Sequence, residues 1–430
     1  MRLNFKGIIS WLIFVAVFGS ASIAYAQERV YEFGPETANA GVTTVLGTDV
    51  YSTSKGYGFE PGASIVCWKG TSRKNGNCTS AKPFYFSVAL PEGNYRITIR
   101  FGDREIATST VVKAELRRLM LESVATEPGK FESKSFIVNV RTPQISTGDE
   151  VKLKERERLS EQWAWDEKLT LEFNGKRPAV NSIKIEKIDV PTVFLLGDST
   201  VCDQPGEPYA SWGQMITRFF GDKVAVANHA ESGESLKSSF GAKRLEKVVS
   251  LMKRGDYLLI QYGHNDMKEK GDGIGAFTSY KASLKQYVQV AKAKGASVIL
   301  INPMHRRTFD PDGKTITNSH GDYPEAVRQA ANEEKVPLID LNAMSKDLYE
   351  ALGKDGSGVL FKEGDGTHHS NFGAYELAKC IVQSIRDQKL SLAKFLVKGL
   401  PKFDAKKPDD PKTFAIPASP AVTDLKPLES

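Results

Sequence analysis

The segment Val193-Phe194-Leu195-Leu196-Gly197-Asp198-Ser199-Thr200 decides the reading of this chain. Four consecutive apolar residues without alternation predict a strand buried on both faces. They run directly into Gly, Asp, Ser and Thr, which predict a tight turn. Similar apolar runs follow at Val224 to Ala227, Tyr257 to Gln261, Ser297 to Ile301 and Pro337 to Leu341. Helical stretches separate them: Ser211 to Phe220, Leu245 to Lys253, Thr278 to Lys294, Tyr323 to Glu334 and Ala343 to Leu352. A last helix is expected from Ser370 to about Gln388. Alternating strand and helix predicts a five-stranded parallel sheet with helices on both faces and right-handed crossovers. This α/β/α unit is expected over residues 191–390.

N-terminal to it the texture changes. Phe84-Tyr85-Phe86-Ser87-Val88, Tyr95 to Phe101, Phe136 to Val140 and Leu169 to Phe173 are short runs with the alternation of half-buried strands. Turns such as Pro91-Glu92-Gly93-Asn94 separate them. An antiparallel β-sandwich is expected over residues 28–189. Within it, Lys113 to Val124 fits either a strand or a helix. At the other end, residues 391–430 form a Pro-rich tail: six of the 20 prolines fall in the last 30 residues, which predicts an extended or disordered segment, with packing on the surface as the alternative.

Residues 1–26 read as a secretory signal. Arg2 and Lys6 precede an apolar run from Gly7 to Phe18, and Ala24-Tyr25-Ala26 supplies the cleavage pattern. The run is too short to span a bilayer, so the expected product is secreted or periplasmic, with no membrane span after signal removal. The composition is that of an ordinary globular protein, with 58 basic and 52 acidic residues and a net charge of +6. Losing Arg2 and Lys6 would leave +4. No stripe or tail concentrates that excess, which argues against nucleic acid as a partner. An oxidising compartment permits disulfides, and Cys67 and Cys78, bracketing a short polar loop, are the expected pair. Cys202 and Cys380 are expected to remain thiols. Ten helical residues at about 1.5 Å each carry Cys380 roughly 15 Å from His368, beyond disulfide reach of Cys202. No C-x-x-C spacing suggests a metal site.

Sites in open α/β sheets form at the carboxyl ends of strands. Four motifs stand there or at the entry to the last helix: Gly197-Asp198-Ser199-Thr200, Glu231-Ser232-Gly233-Glu234-Ser235, Gly263-His264-Asn265-Asp266 and Asp365-Gly366-Thr367-His368. Taken singly, each is an ordinary turn or loop. Together they supply a hydroxyl nucleophile, a glycine amide, an Asn donor, and a base with its orienting carboxylate three residues before it.

This ordered set resembles the SGNH, or GDSL-type, hydrolase superfamily over roughly residues 192–390. The resemblance implies a flavodoxin-like fold, a catalytic Ser199–His368–Asp365 triad, and an oxyanion hole from Ser199, Gly233 and Asn265. It implies no metal and no organic cofactor. Gly197 to Val201, Arg306 to Phe309, Asn318 to Tyr323 and Phe372-Gly373-Ala374 are also similar to rhamnogalacturonan acetylesterases. The sandwich is similar to the galactose-binding-like domains that precede some bacterial members. An acetylated polysaccharide is the implied substrate, pectic rhamnogalacturonan first. Acetylated xylan, a lipid ester, and a non-catalytic sugar-binding role are the alternatives. Many relatives carry Gly-Arg-Ser in the second motif, where this chain has Gly233-Glu234-Ser235. A Glu facing the substrate would repel an acidic polysaccharide, so Glu234→Arg is expected to improve turnover.

Trp212, Glu234, His264, His305 and His320 are candidate substrate contacts. Amphipathic packing accounts equally for Trp212, and a structural role for His305 and His320. Trp163 and Trp165 alternate as strand residues do and are expected in the core, with one of them lining a sugar site as the alternative. His369, adjacent to His368, is expected at the surface. The sequence carries no signal for an oligomeric state.

Overall fold

The computed structural model describes residues 28–35, 40–70, 76–421, 423 and 427. The expected signal segment, 1–26, lies outside the described residues. No helix among the described residues is long and apolar enough to cross a membrane.

Two five-stranded sheets face each other in the N-terminal half. One runs Glu132–Val140, Gly93–Phe101, Ser182–Lys187, Arg29–Phe33, Val42–Val45; the other runs Tyr57–Phe59, Phe84–Ala89, Lys168–Asn174, Thr108–Ala114, Arg118–Thr126. Pairing is antiparallel except at one edge, where Arg29–Phe33 and Val42–Val45 run parallel. The period-2 pattern sets the core. Tyr95, Ile97, Ile99 and Phe101 are buried, while Arg96, Thr98 and Arg100 between them are not. They meet Phe84, Phe86, Leu169, Leu171 and Phe173 from the facing sheet. A small sheet of Val66–Trp68, Asn77–Thr79 and Ala179–Val180 adds to this half, and its hairpin carries the Cys67–Cys78 disulfide.

The segment left open in the sequence is strand. Thr108–Ala114 and Arg118–Thr126 pair as a hairpin, and Glu115 and Arg117 in its turn have φ of 55° and 61°. Two non-glycine residues with positive φ carry no conventional turn signal, so the pattern looked continuous enough to fit a helix. Trp163 and Trp165 are not on a strand. They lie in and beside a 3₁₀ turn, Gln162–Ala164. Trp165 is buried, with the Arg141 guanidinium 4.7 Å from its ring.

The C-terminal half holds five parallel strands: Thr192–Gly197, Ala225–Asn228, Tyr257–Gln261, Ser297–Ile301 and Leu338–Ile339, with spatial order second, first, third, fourth, fifth. Alternate residues serve opposite faces. Val193, Leu195, Leu259 and Ile299 join one apolar cluster; Phe194, Leu196, Leu258, Ile260 and Val298 join the other. Both clusters are capped by helices, so every strand residue but Ser297 and Leu338 is buried and no alternation could appear in the sequence. Helices Arg244–Leu251, Lys281–Ala293, Tyr323–Glu334, Leu341–Gly356 and Asn371–Asp387 lie close to their expected positions. The stretch expected as one helix from Ser211 is a single α-turn, Trp212–Met215, tightening into 3₁₀ over Ile216–Phe219.

The halves share a core. Val111 and Leu119 of the sandwich hairpin pack in the same cluster as Met215, Ile216 and Phe219. Gln214 Nε2 donates to Leu116 O at 2.7 Å, and Thr217 Oγ1 to Leu119 O at 2.6 Å. The tail does pack against the protein: Phe403 and Ala405 are buried, and Ser419 is seated between Glu172 and Lys113 of the sandwich. Cys202 and Cys380 are both unbonded, as expected, and both are buried.

Candidate active site

The first strand ends at Gly197, where a Cβ would stand 2.5 Å from Val201 Cγ2 and 2.6 Å from Gln261 O. Only glycine fits so close a return of the chain. The turn is then closed by Asp198. Its carboxylate accepts from the Thr200 amide (3.0 Å) and hydroxyl (2.7 Å), and its carbonyl accepts from the Val201 and Cys202 amides. This holds Ser199 at the top of the sheet.

Ser199 Oγ lies 2.9 Å from His368 Nε2, and His368 Nδ1 lies 2.9 Å from Asp365 Oδ2. The other oxygen of Asp365 accepts from the Thr367 (2.8 Å) and His368 (3.1 Å) amides. Burial works against a charge on Asp365, but the His368 imidazole and these backbone donors outweigh it and hold the carboxyl well below its ordinary range. The three side chains form one line: hydroxyl, imidazole, carboxylate. All are largely shielded, Ser199 at 3% exposure.

Gly233 and Asn265 stand beyond the second and third strands. Gly233 has φ +75°, the left-handed conformation that glycine tolerates. Asn265 Nδ2 donates to Glu234 O at 3.1 Å, which ties the two loops together. The structure thus gathers Ser199, His368, Asp365, Gly233 and Asn265 at the carboxyl ends of adjacent strands and the loop before the last helix.

Glu234 does not face an open site. Its side chain is 1% exposed, with Lys154 Nζ at 3.1 Å, Arg244 Nε at 3.5 Å, and the Ser238 hydroxyl donating to it. The expectation that it repels substrate is therefore wrong, because these partners neutralise it inside the protein. Trp212 is also turned inward at 1% exposure, and its indole N–H donates to Gln261 Oε1 at 2.7 Å. Gln261 in turn donates to Thr200 Oγ1 at 2.8 Å. Trp212 thus ends a buried relay under the Ser199 turn and is not a sugar platform. His369 is likewise not at the surface. It is 1% exposed with Tyr349 Oη 2.9 Å from its Nε2, because its segment bridges both Ala210 and Phe361.

His264, His305 and His320 line up beside the site. His264 Nδ1 lies 3.3 Å from Asp198 Oδ2, the His320 ring stands edge-on at 4.5 Å between centroids, and His305 follows at 6.5 Å. Burial pushes all three below the ordinary histidine range; for His264 it does so against the pull of Asp198. Each ring is 4% exposed or less. Cys202 contacts the Ser232 hydroxyl at 3.4 Å, and burial pushes its thiol well up, so it is not a rival nucleophile.

Several site residues escaped the sequence reading. Gln204 Nε2 donates to Ser199 O at 2.7 Å. The Tyr209 ring stands perpendicular to the His368 ring, 6.1 Å between centroids. Arg306 donates to Thr367 Oγ1 and to His264 O. Arg306 lies in the segment Arg306 to Phe309 that is similar to rhamnogalacturonan acetylesterases. Gln204 and Tyr209 lie in a loop with no recognisable pattern.

The GDSL-like Lipase/Acylhydrolase family model matches residues 195–373, a span that contains all five of the gathered residues. The chain is 39% identical to rhamnogalacturonan acetylesterase RhgT of Bacillus subtilis over 220 residues, 48% of this chain and 94% of that protein. It is 27% identical over 414 residues to the uncharacterized esterase YxiM of the same organism, covering 91% of this chain and all of that protein. The crystal structure of Bacillus subtilis YxiM matches 85% of this chain and 99% of its own, with 26% identity and a TM-score of 0.47. The ordered strand-end residues and a relative aligned along nearly its whole length lead to one conclusion: the chain belongs to the GDSL-like lipase/acylhydrolase family, the SGNH hydrolases, and is a serine ester hydrolase.

Proposed function

We propose that the protein is an exported carbohydrate acetylesterase acting on acetylated rhamnogalacturonan. The observation that carries the chemistry is the line from Ser199 Oγ through His368 to Asp365, with both contacts at 2.9 Å. His368 Nε2 takes the Ser199 proton as Oγ attacks the acetyl carbonyl. The negative oxygen is stabilised by the Ser199 and Gly233 amides and the Asn265 side chain. Collapse expels the sugar hydroxyl, which leaves with the proton held by His368. Water, deprotonated by His368, then attacks the acetyl-enzyme and releases acetate. Asp365 keeps His368 in the tautomer that accepts at Nε2.

The substrate class is supported by the similarity to a protein named rhamnogalacturonan acetylesterase. Export is supported by the signal pattern in residues 1–26 and by the Cys67–Cys78 bond. In this reading residues 28–189 are a galactose-binding-like sandwich, 191–390 the catalytic unit and 391–430 a tail. Purified mature protein and its Ser199→Ala variant should be compared on p-nitrophenyl acetate. Equal rates for the two would end the serine-esterase reading. Acetate release from acetylated rhamnogalacturonan, homogalacturonan and xylan then tests the substrate, and a clear preference for xylan would remove the pectic assignment.

A further inference from the structure

Arg117 belongs to the sandwich, in the turn between Thr108–Ala114 and Arg118–Thr126, yet its guanidinium is spent on the catalytic half. It is 5% exposed. Nη1 donates to Tyr209 O at 2.7 Å and to Gln204 O at 3.2 Å. Nη2 donates to Asn371 Oδ1 at 3.1 Å and pairs with Glu207 Oε1 at 2.6 Å. One planar group thus grips the loop 204–209 at three points and the first residue of the last helix at a fourth.

That loop touches both ends of the reacting pair. Gln204 donates to the carbonyl of Ser199, the Tyr209 ring stands against the His368 ring, and the Ala210 amide donates to His369 O at 2.9 Å. Glu207 is held from two further sides. Asn371 Nδ2 donates to its carboxylate at 2.9 and 3.0 Å, and the tail contributes the Ser419 amide at 2.8 Å. The Glu207 backbone also exchanges bonds with Ala421 and Thr423. Fixing the loop therefore fixes where Ser199 and His368 stand relative to each other.

We propose that Arg117, contributed by the N-terminal sandwich, is a positioning residue for the esterase reaction, setting the Ser199–His368 separation through the 204–209 loop. The inference rests on the reading of Ser199 and His368 as nucleophile and base. A misplacement of about 1 Å at such a pair typically costs about 100-fold in rate.

The test uses the full mature chain. Arg117→Met combined with Glu207→Gln removes both charges, so no buried carboxylate is orphaned; Arg117→Lys keeps the charge but not the fork. Each is measured by kcat and KM on p-nitrophenyl acetate and by the rate of labelling with a fluorophosphonate, which reports the reactivity of Ser199 directly. A folded double variant should lose about 10- to 100-fold in kcat and in labelling rate while KM stays within threefold. Arg117→Ala should regain activity when free guanidinium is added at non-denaturing concentration. A folded double variant with kcat and labelling within about twofold of the parent overturns the proposal. If the double variant does not fold, Arg117→Lys decides: a loss of about fivefold or more in both rates at unchanged KM supports the proposal, and parental rates refute it. Ser199→Ala in parallel separates the two claims, since an active Ser199→Ala protein defeats the underlying mechanism whatever Arg117 does.

Discussion

Asp365→Asn replaces one oxygen by an amide nitrogen, and the structure dictates which. Oδ1 accepts from two backbone amides, at 2.8 and 3.1 Å, and Oδ2 faces His368 Nδ1 at 2.9 Å. The carboxamide oxygen therefore keeps the two backbone donors, and its NH₂ is turned onto His368 Nδ1. Two donors cannot share that contact, so the imidazole moves its proton to Nε2. Ser199 Oγ, at 2.9 Å from Nε2, then faces a donor where it needs an acceptor. The corresponding change in a serine-protease triad lowers kcat by about 10⁴, or about 5.4 kcal/mol at 1.36 kcal/mol per decade. A similar loss is expected here. Asp365→Ala removes the carboxylate without imposing the wrong tautomer, so it should retain more activity than Asn. Initial rates on p-nitrophenyl acetate, with Ser199→Ala as the floor and thermal unfolding as a check on folding, measure both. An Asn variant within tenfold of the parent, or one more active than Ala, would refute the assignment of roles. The carboxyl also gives a pH sign. His368 and the backbone donors hold it below its ordinary value against burial, so it stays ionised as pH falls through about 4, where an ordinary aspartate takes up its proton. Its contribution to stability is present above that point and lost only as pH falls further.

Asn265→Ala should lower kcat about 10²- to 10³-fold with little change in KM, as expected for a side chain that meets the substrate oxygen in the transition state; a change confined to KM would remove it from that role. Glu234→Arg is expected to destabilise by about 3–5 kcal/mol, read from urea unfolding, because it puts a third cation beside Lys154 and Arg244. Improved turnover of an anionic pectin by that variant would contradict the placement. Asp266 is pushed up to about 8, chiefly by burial with Asp198 adding to it and the Leu236 amide opposing. Such a raised carboxyl contributes stability that is full below its unfolded value and is lost as pH climbs toward 8. Asp266→Asn should thus gain in melting temperature relative to the parent between pH 5 and pH 8, and a pH-independent difference would exclude the shift. Replacing Cys67 and Cys78 by Ser opens a loop of 11 residues and should cost the sandwich about 3 kcal/mol, measured as a fall in urea midpoint.

What the sequence could disclose follows from how each feature is encoded. Val193 to Leu196 are buried on both faces, so their burial is written in four adjacent letters. Ser199, Gly233 and Asn265 stand just past strand ends, and Asp365 and His368 in the loop before the last helix, so the strand and helix pattern points to them. Glu234 was misread because Arg244 lies on a different helix and Lys154 comes from the other half of the chain. Arg117 was invisible for the same reason, since its partners begin 87 residues away at Gln204. The hairpin turn was undecided because Glu115 and Arg117 adopt left-handed φ without Gly or Asn. Trp212 and His369 have side chains whose direction is set by local bridges and a short 3₁₀ segment, and neither follows from helical or strand periodicity.

The shared core has a consequence for how this protein can be handled and how it can evolve. Val111 and Leu119 sit in the same apolar cluster as the helices behind Ser199, and Gln214 and Thr217 satisfy their side chains on sandwich carbonyls. The esterase is therefore not a portable cassette. Excising residues 191–390 would strip an apolar face and remove the two side-chain hydrogen bonds that cross it, whereas the intact chain should melt as one cooperative body in a calorimeter. A lineage that gained or lost the sandwich would have had to rebuild that face in the same step.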